Sequence, residues 1–294
     1  MILRNPFNYT ASKDRIMSVL LKNFDYNKDI FIDMFCGSGV VGVNVLPKYN
    51  RVILNDGCWQ IVGILRAMSN DDKFLYKVEK IIDQFGLSKT NKEAYIDARG
   101  YYNENFKDKE TFNPYFLYAL MMHSFNYQIV FNSSEGFSVP SGYNRSSFNS
   151  SIREKLQKYS EKLYDYDIEL YSFKQELFID LIKNSFQDDE YRDLMIYCDP
   201  PYSRSCSDSS VNRSYGLKWG EAEDKALLKF LDFLDSKGSS FVLSNVLENN
   251  GKENKLLKKW AKKYNVIPLN VDYTNCHYNR KNAGKTEEII VRNF

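Results

Sequence analysis

The sequence is poor in the residue types that define several special classes of protein. Its 294 residues include only five cysteines, seven prolines, 14 glycines and two histidines. The cysteines are an odd number, widely spaced and without a CxxC pair, which argues against a disulfide framework or a zinc site and favours reduced thiols. The low glycine and proline content, together with 15% aromatic residues, argues against collagen-like repeats and disorder.

Long apolar runs and a strong charge imbalance are also missing. No apolar stretch approaches the roughly 18 residues needed to cross a bilayer, and residues 1–9 contain no signal-peptide hydrophobic region, so we expect a cytoplasmic protein. The formal charge is only +2, which alone does not indicate a nucleic-acid-binding protein. Residues 251–292 nevertheless hold ten basic and four acidic residues, which fits either a polyanion-binding end or a solvated helix face.

What the sequence does contain is an alternation of short apolar strands and helices. An apolar run at 30–35 ends in a glycine-rich turn at 36–42, and helix-compatible residues continue to Leu46. A second strand is predicted at 51–56 and a helix at 60–68, which completes a βαβ unit. Such a unit implies a parallel sheet and an α/β fold.

The strand and helix pattern returns in the second half of the sequence, after a segment of different texture. The predicted elements there are strands at 194–198, 240–245, 265–272 and 287–292 and helices at 221–234 and 252–263. Residues 70–165 are instead charged and aromatic, with one predicted helix at 114–125 and a polar loop at 126–149. We interpret residues 70–165 as an insertion into a domain formed by residues 1–69 and 166–294.

A glycine turn is the first of two motifs that carry chemistry. Gly37, Gly39 and Gly42 satisfy the pattern GxGxxG, which a nucleotide-like ligand needs because a Cβ would block close approach of the backbone. Asp56 ends the next strand, where a carboxylate can hold two ribose hydroxyls. The pattern fits a dinucleotide site, a structural turn without a ligand, or an S-adenosylmethionine site in which Asp33 attracts the methionine ammonium group.

The second motif is Asp199-Pro200-Pro201-Tyr202, which follows a predicted buried strand. Because prolines cannot donate backbone hydrogen bonds, the chain must leave the sheet here, at the edge where α/β proteins bind ligands. Asp199 and the Pro200 carbonyl can accept two N–H bonds from a planar amine while Tyr202 stacks on its ring. A proline-capped strand with a surface aspartate is the structural alternative.

With both motifs present, the chain resembles the Dam-type DNA adenine methyltransferases of restriction–modification systems and phages. Four of its segments look like the family's amino-terminal cofactor segment, cofactor loop, ribose-binding pair and catalytic motif, namely residues 5–13, 31–39, 55–56 and 199–202. Their order around the insertion is that of the family's α group. Residues 125–142 are similar to the target-recognition hairpin, although Val130 and Ser138 stand where arginine and asparagine are common, and residues 278–288 are similar to the YNRK and TEE signature.

The resemblance implies a Rossmann-like S-adenosylmethionine-dependent methyltransferase fold, with a mainly helical target-recognition insertion that carries a β-hairpin. It implies methyl transfer to N6 of a flipped adenine in double-stranded DNA, with S-adenosylhomocysteine as product and no metal. A nucleoid-associated monomer in a restriction–modification or phage context, with a cognate restriction endonuclease as partner, is expected.

The resemblance also implies site residues of three kinds. They are catalytic Asp199, Pro200 and Tyr202; cofactor-binding Tyr9, Lys13, Asp33, Phe35, Gly37, Gly39 and Asp56; and DNA-binding Asn126, Asn132, Gly136, Phe137, Arg145, Arg280 and Lys281. The family's adenine-binding acid is expected near 172–180, a stretch that contains Lys174 and Glu176.

Other functions use parts of the same pattern. A pocket for a planar amine also suits methylation of an RNA base or of N4 of cytosine, and a non-catalytic DNA-binding protein can retain the fold. An NAD-dependent dehydrogenase shares GxGxxG but gives no role to residues 199–202. A cytosine-carbon methyltransferase needs a nucleophilic cysteine, typically after a proline, and none of the five cysteines follows one.

Overall fold

The strands in the described part of the protein join in one mostly parallel sheet. A computed structural model describes residues 2–7, 13–201, 219–249, 251–269 and 286–294. Its strands are β1 (Ile30–Asp33), β2 (Arg51–Asn55), β3 (Glu169–Tyr171), β4 (Leu194–Cys198), β5 (Ser240–Asn249), β6 (Lys252–Glu253), β7 (Asn265–Leu269) and β8 (Thr286–Arg292). The order across the sheet is β3-β2-β1-β4-β5-β8-β7, with β6 paired to β5. The strands from β3 to β5 pair in parallel, and β8 runs antiparallel between β5 and β7.

Helices cover both faces of the sheet. Within the described ranges they are α1 (Met17–Lys22), α2 (Val40–Val45), α3 (Trp59–Asn70), α4 (Phe74–Phe85), α5 (Lys92–Asn105), α6 (Pro114–His123), α7 (Ser150–Tyr164), α8 (Gln175–Ser185), α9 (Glu221–Ser236) and α10 (Lys255–Trp260). Successive strand residues point to opposite faces, so Phe31 joins the apolar cluster of α1 to α7, while Ile32 joins that of α8 to α10. This arrangement confirms the predicted Rossmann-like α/β fold.

The helices of residues 70–165 pack directly on one face of the sheet. Residues of α4, α5, α6 and α7 belong to the same apolar cluster as Phe31 and Leu54 of the sheet. In α6, every residue from Phe116 to His123 is buried, which is typical of a helix that is surrounded by other elements. The Asn113 side chain caps this helix by accepting a hydrogen bond from the Phe116 N–H at 3.0 Å, and Pro114 occupies its first position.

The predicted hairpin in this segment consists of two isolated antiparallel bridges. They join Ser124 to Ser141 and Phe131 to Phe137. Between the two bridges the chain includes two left-handed residues, Asn126 and Tyr127, which interrupt regular strand pairing.

Most of the predicted strands and helices are present in the structure, with boundaries that differ by a few residues, and one prediction gave the wrong type of element at its start. Residues 252–263 were predicted as one helix, but Lys252 and Glu253 form β6 with the end of β5. Gly251, at φ +80°, makes the turn between the two strands. The helix begins only after Asn254, whose side chain accepts a hydrogen bond from the Leu257 N–H at 3.0 Å.

The structure also describes three of the five cysteines and the lengths of the helices. Cys36, Cys58 and Cys198 are buried free thiols, and the remaining two cysteines lie outside the described residues. No helix in the described part of the chain is long and apolar enough to cross a bilayer.

Candidate active site

The two sequence motifs meet at the carboxyl edge of the sheet. Strands β1 and β4 are parallel neighbours, with Asp33 in register with Tyr197, so the chain leaves both strands at the same edge. The chain order also reverses here, because β2 follows β1 on one side and β4 lies on the other. Ligands of open α/β sheets bind at such a switch point. One pocket at this edge is lined by Lys13, Asp33, Phe35, Gly37, Tyr197 and Asp199, among others.

The structure explains why glycine occupies all three positions of the GxGxxG pattern. Gly37 and Gly39 adopt left-handed backbone conformations, with φ of 50° and 74°. Gly42 faces β2, where a Cβ would lie 2.3 Å from Leu54 Cδ2. The fold itself therefore requires the GxGxxG pattern, and the indication of a ligand comes from the charged groups around the turn.

Asp56 braces the glycine turn from the neighbouring strand. Its carboxylate accepts hydrogen bonds from the backbone N–H groups of Gly37 at 2.9 Å and of Cys58 at 2.8 Å. Burial raises the pKa of Asp56, and these two hydrogen bonds oppose that rise. Each carboxylate oxygen keeps a second lone pair, so Asp56 can still accept ribose hydroxyls.

Asn55, the other member of the predicted ribose-binding pair, is buried and ties three chain segments together. Its Nδ2 donates to the carbonyl oxygens of Met34 and Phe173, each at 3.1 Å, and its Oδ1 accepts from the Phe173 N–H at 2.9 Å. Asn55 thus positions the ends of the strands. The sequence analysis missed Phe173, whose half-exposed ring stacks on Tyr171 at 5.9 Å between centroids.

The stretch expected to hold an adenine-binding acid begins α8. Lys174 directly precedes this helix, and Glu176 lies in its first turn. Both side chains are exposed, and neither lines the pocket at the glycine turn.

Asp33 is a buried acid that has hydrogen-bonding capacity to spare. Its Oδ1 accepts from the Phe35 N–H at 3.3 Å, whereas its Oδ2 is buried without a hydrogen-bond partner among the described residues. Burial and, next, the nearby Asp199 carboxylate raise the pKa of Asp33 well above its usual range. A cation placed beside Asp33 would stabilise its ionised form against both burial and the Asp199 charge.

Asp199 forms an ion pair with Lys13. The Lys13 Nζ lies 2.8 Å from Asp199 Oδ1, and both side chains are largely shielded from solvent. Burial raises the pKa of Asp199, and the Lys13 charge and hydrogen bond oppose that rise. Lys13, predicted as a cofactor-binding residue, is thus placed against the predicted catalytic acid. Pro200 follows in a buried position, whereas Tyr9, Tyr202, Arg280 and Lys281 lie outside the described residues.

The loop predicted to bind DNA concentrates backbone strain. The non-glycine residues with positive φ in the described ranges are Asn126, Tyr127, Glu135 and Asn144, at 52°, 56°, 61° and 58°. All of them lie in or beside the predicted hairpin, and such conformations persist only where the surroundings enforce them. Asn132 shapes the exposed tip, since its Oδ1 accepts from the N–H groups of Ser134 at 3.0 Å and Gly136 at 2.8 Å.

Helix α5 anchors the hairpin, which the sequence analysis did not anticipate. Asn103 exchanges two hydrogen bonds with the backbone of Phe137, accepting from its N–H at 2.8 Å and donating to its carbonyl at 3.0 Å. Tyr95 and Arg99 both donate to the Val139 carbonyl. The Phe137 ring is fully buried, so it supports the hairpin from inside, which corrects its prediction as a DNA contact. Arg145 is exposed, with its guanidinium 5.2 Å from the Phe125 ring.

Comparison with known proteins identifies the family. The family model of the D12 class N6 adenine-specific DNA methyltransferases matches residues 9–275. The chain belongs to this family. The match confirms the resemblance inferred from the glycine turn and from the motif at residues 199–202.

Several curated relatives are similar to most of this chain. Type II methyltransferase M.FokI of Planomicrobium okeanokoites is 34% identical over 295 residues, which cover 99% of this chain and 43% of the relative. Modification methylase StsI of Streptococcus sanguinis is 34% identical over 300 residues, with the same coverage. The DNA adenine methylase of Haemophilus influenzae is 25% identical, over 82% of this chain and 79% of the relative. The chain therefore spans less than half the length of the first two relatives.

Proposed function

We propose that this D12-class chain transfers a methyl group from S-adenosylmethionine to N6 of adenine in double-stranded DNA. The observation that carries the proposal is that Asp33 and Asp199 line the same pocket as Gly37 of the glycine turn. In this proposal Asp33 binds the cofactor and Asp199 binds the target base. Membership of the D12 class supports this assignment.

The residues at the glycine turn fit the cofactor. Asp33 Oδ2, buried without a hydrogen-bond partner among the described residues, suits the methionine ammonium group. Asp56 has lone pairs left for ribose hydroxyls, and Gly37 permits close backbone approach. When bound, S-adenosylmethionine supplies a methyl group activated by a sulfonium centre. The reaction also yields S-adenosylhomocysteine, and the proposal includes no metal.

The residues at the end of β4 fit the target amine. An adenine inside a duplex is unreachable, so it must leave the stack, at a cost of a few kcal/mol. The Asp199 carboxylate and the Pro200 carbonyl then accept the two N–H bonds of the amine, and Tyr202 stacks on the base. As the amine nitrogen bonds to the methyl carbon, the bond from that carbon to the sulfonium sulfur breaks, and Asp199 stabilises the positive charge that develops on the nitrogen. The nitrogen then releases one of its protons to solvent, which leaves the neutral methylated amine. Lys13 favours the ionised form of Asp199 before the base arrives.

The division of labour along the chain is also part of the proposal. Residues 1–69 and 166–294 form the catalytic domain, and residues 70–165 recognise the DNA target. In the insertion, we assign DNA contacts to Asn126, Asn132 and Arg145, which are exposed, and a turn-forming role to Gly136. On the family resemblance alone, we assign phosphate contacts to Arg280 and Lys281. On the same ground, we assign a contact with the cofactor to Tyr9.

The names of the relatives suggest a biological setting. M.FokI is a type II methyltransferase, and StsI is a modification methylase. We infer a restriction–modification setting for this chain, with a cognate endonuclease that cuts unmodified DNA. We also propose that the protein is a monomer and that it is associated with the nucleoid in the cytoplasm.

Cofactor choice provides the test of this proposal. S-adenosylmethionine should raise the midpoint of thermal unfolding, with a stabilisation of about 2.7 kcal/mol at a hundredfold excess over Kd, whereas NAD should have no effect. Asp33→Asn keeps the shape of the side chain but removes its charge, so this variant should lose most of the stabilisation. Stabilisation of the wild-type protein by NAD and not by the methyl donor would refute the proposal.

A further inference from the structure

A tyrosine of the insertion reaches the glycine turn. The hydroxyl of Tyr159, on α7, donates a hydrogen bond to the backbone carbonyl of Ser38 at 2.6 Å. Tyr159 is fully buried and Ser38 is 3% exposed, so the bond is shielded from water. A segment to which we assign DNA recognition thus contacts the turn to which we assign the cofactor.

The sequence of α7 explains how Tyr159 comes to lie there. Ile152, Leu156, Tyr159 and Leu163 are all buried, and their spacing of three and four residues puts them on one face of the helix. The Asn149 side chain fixes the start of the helix by accepting a hydrogen bond from the Ile152 N–H at 3.0 Å. Helix α7 packs against α2, α3 and α4, and α2 directly follows the glycine turn. The packing and the capping of α7 therefore fix the position of Tyr159.

The bond satisfies a carbonyl that is otherwise difficult to accommodate. Ser38 lies between two left-handed glycines, Gly37 and Gly39, and its carbonyl accepts the Tyr159 hydrogen bond in a buried position. A buried carbonyl without a donor is costly, so the turn would relax to find another partner. Tyr159 bonds to the turn from α7, and Asp56 bonds to it from the position directly after β2. The glycine turn is thus fixed from two sides by elements far apart in sequence.

We propose that Tyr159 is a positioning residue for the glycine turn, and that the insertion thereby sets cofactor affinity as well as DNA specificity. The inference rests on the proposed function, because it takes the glycine turn as the cofactor site. A turn that is already in its binding geometry loses less conformational freedom when the cofactor binds. Without the Tyr159 hydroxyl, part of the binding free energy is used to restore that geometry.

Tyr159→Phe removes only the hydroxyl and leaves the packed ring. The Kd for S-adenosylmethionine, measured by titration calorimetry, should rise about tenfold, while kcat at saturating cofactor should stay near the wild-type value. Tyr102→Phe is the matched control. Tyr102 is also a fully buried tyrosine of the insertion, and its hydroxyl lacks a hydrogen-bond partner among the described residues. Its loss should leave the Kd unchanged.

The possible outcomes separate this inference from the proposed function. If Tyr159→Phe lowers the thermal midpoint but binds the cofactor as tightly as the wild-type protein, Tyr159 is merely structural and the inference is wrong. If the wild-type protein itself does not bind S-adenosylmethionine, the proposed function fails and the inference falls with it.

Hydrogen exchange in the wild-type protein gives a test that needs no variant. Because Tyr159 links α7 to the turn, S-adenosylmethionine should slow amide exchange in residues 156–163 as well as in the turn. Residues 187–189, which are exposed, serve as an internal reference. Protection confined to the turn and its flanking strands would overturn the inference.

Discussion

Replacing Asp199 with alanine should lower the rate of methyl transfer by about 10²–10³-fold and leave S-adenosylmethionine binding measurable. The carboxylate is assigned to the target amine, so its removal takes away a preorganised acceptor for the charge that develops during transfer. Asp33, to which we assign the cofactor, remains in place. The rate is measured as incorporation of labelled methyl groups into DNA at saturating cofactor, and cofactor binding is measured by calorimetry.

Two further variants make this result interpretable. Asp199→Asn keeps one acceptor oxygen without the charge, so its rate should lie between those of the wild-type and alanine proteins. Asp180→Ala removes an exposed aspartate from α8 and should change neither quantity. Since the alanine variant also removes the ion-pair partner of Lys13, its thermal midpoint is recorded beside its rate. Equal turnover by Asp199→Ala and the wild-type protein would refute the assigned role of Asp199.

Replacing residues 132–135 with Gly-Ser-Gly-Ser should make the protein unable to distinguish its cognate site from mismatched duplexes. Base contacts specify sequence and phosphate contacts only position the protein, so losing the exposed tip should cost selectivity more than general binding. Each lost base contact is worth about 1–3 kcal/mol. The replacement ends before Gly136, because the Phe137 backbone must keep its two hydrogen bonds to Asn103.

Selectivity is measured as the ratio of methylation rates on cognate and mismatched duplexes, once sequencing of methylated DNA has identified the cognate site. The control replaces residues 187–189, an exposed loop that precedes β4 and so lies at the opposite edge of the sheet. The control should keep both the ratio and the cofactor affinity. An unchanged ratio in the 132–135 variant would place sequence recognition elsewhere in the chain.

The catalytic edge of the sheet could be predicted because its signals are local. Apolar strands that run directly into Asp33 and Asp199 identify two strand ends, and a parallel sheet brings such ends to one edge. Elements that have clear apolar periodicity, such as α9 and β4, were predicted for the same reason. The beginning of α10 was missed because Lys252 and Glu253 are compatible with a helix, and only their pairing with β5 makes them a strand.

Contacts between distant segments could not be predicted from the sequence. Lys13 and Asp199 lie 186 residues apart in sequence, and no local pattern encodes their contact. Tyr159 and Ser38, separated by 121 residues, are a similar case. The composition change at residues 70–165 suggested an insertion, but tertiary packing alone determines that its helices share a core with the sheet.

The identity of the methylated nucleoside tests the proposed function most directly. The wild-type protein is incubated with S-adenosylmethionine carrying a labelled methyl group and, in parallel, with double-stranded DNA or RNA, and the nucleoside digests are analysed by mass spectrometry. We expect the label in N6-methyldeoxyadenosine from the DNA reaction, and about 10²–10³-fold slower labelling by Asp199→Ala. Label in N4-methyldeoxycytidine, label in RNA alone, or no transfer at all would contradict the assignment of this chain as a DNA adenine methyltransferase.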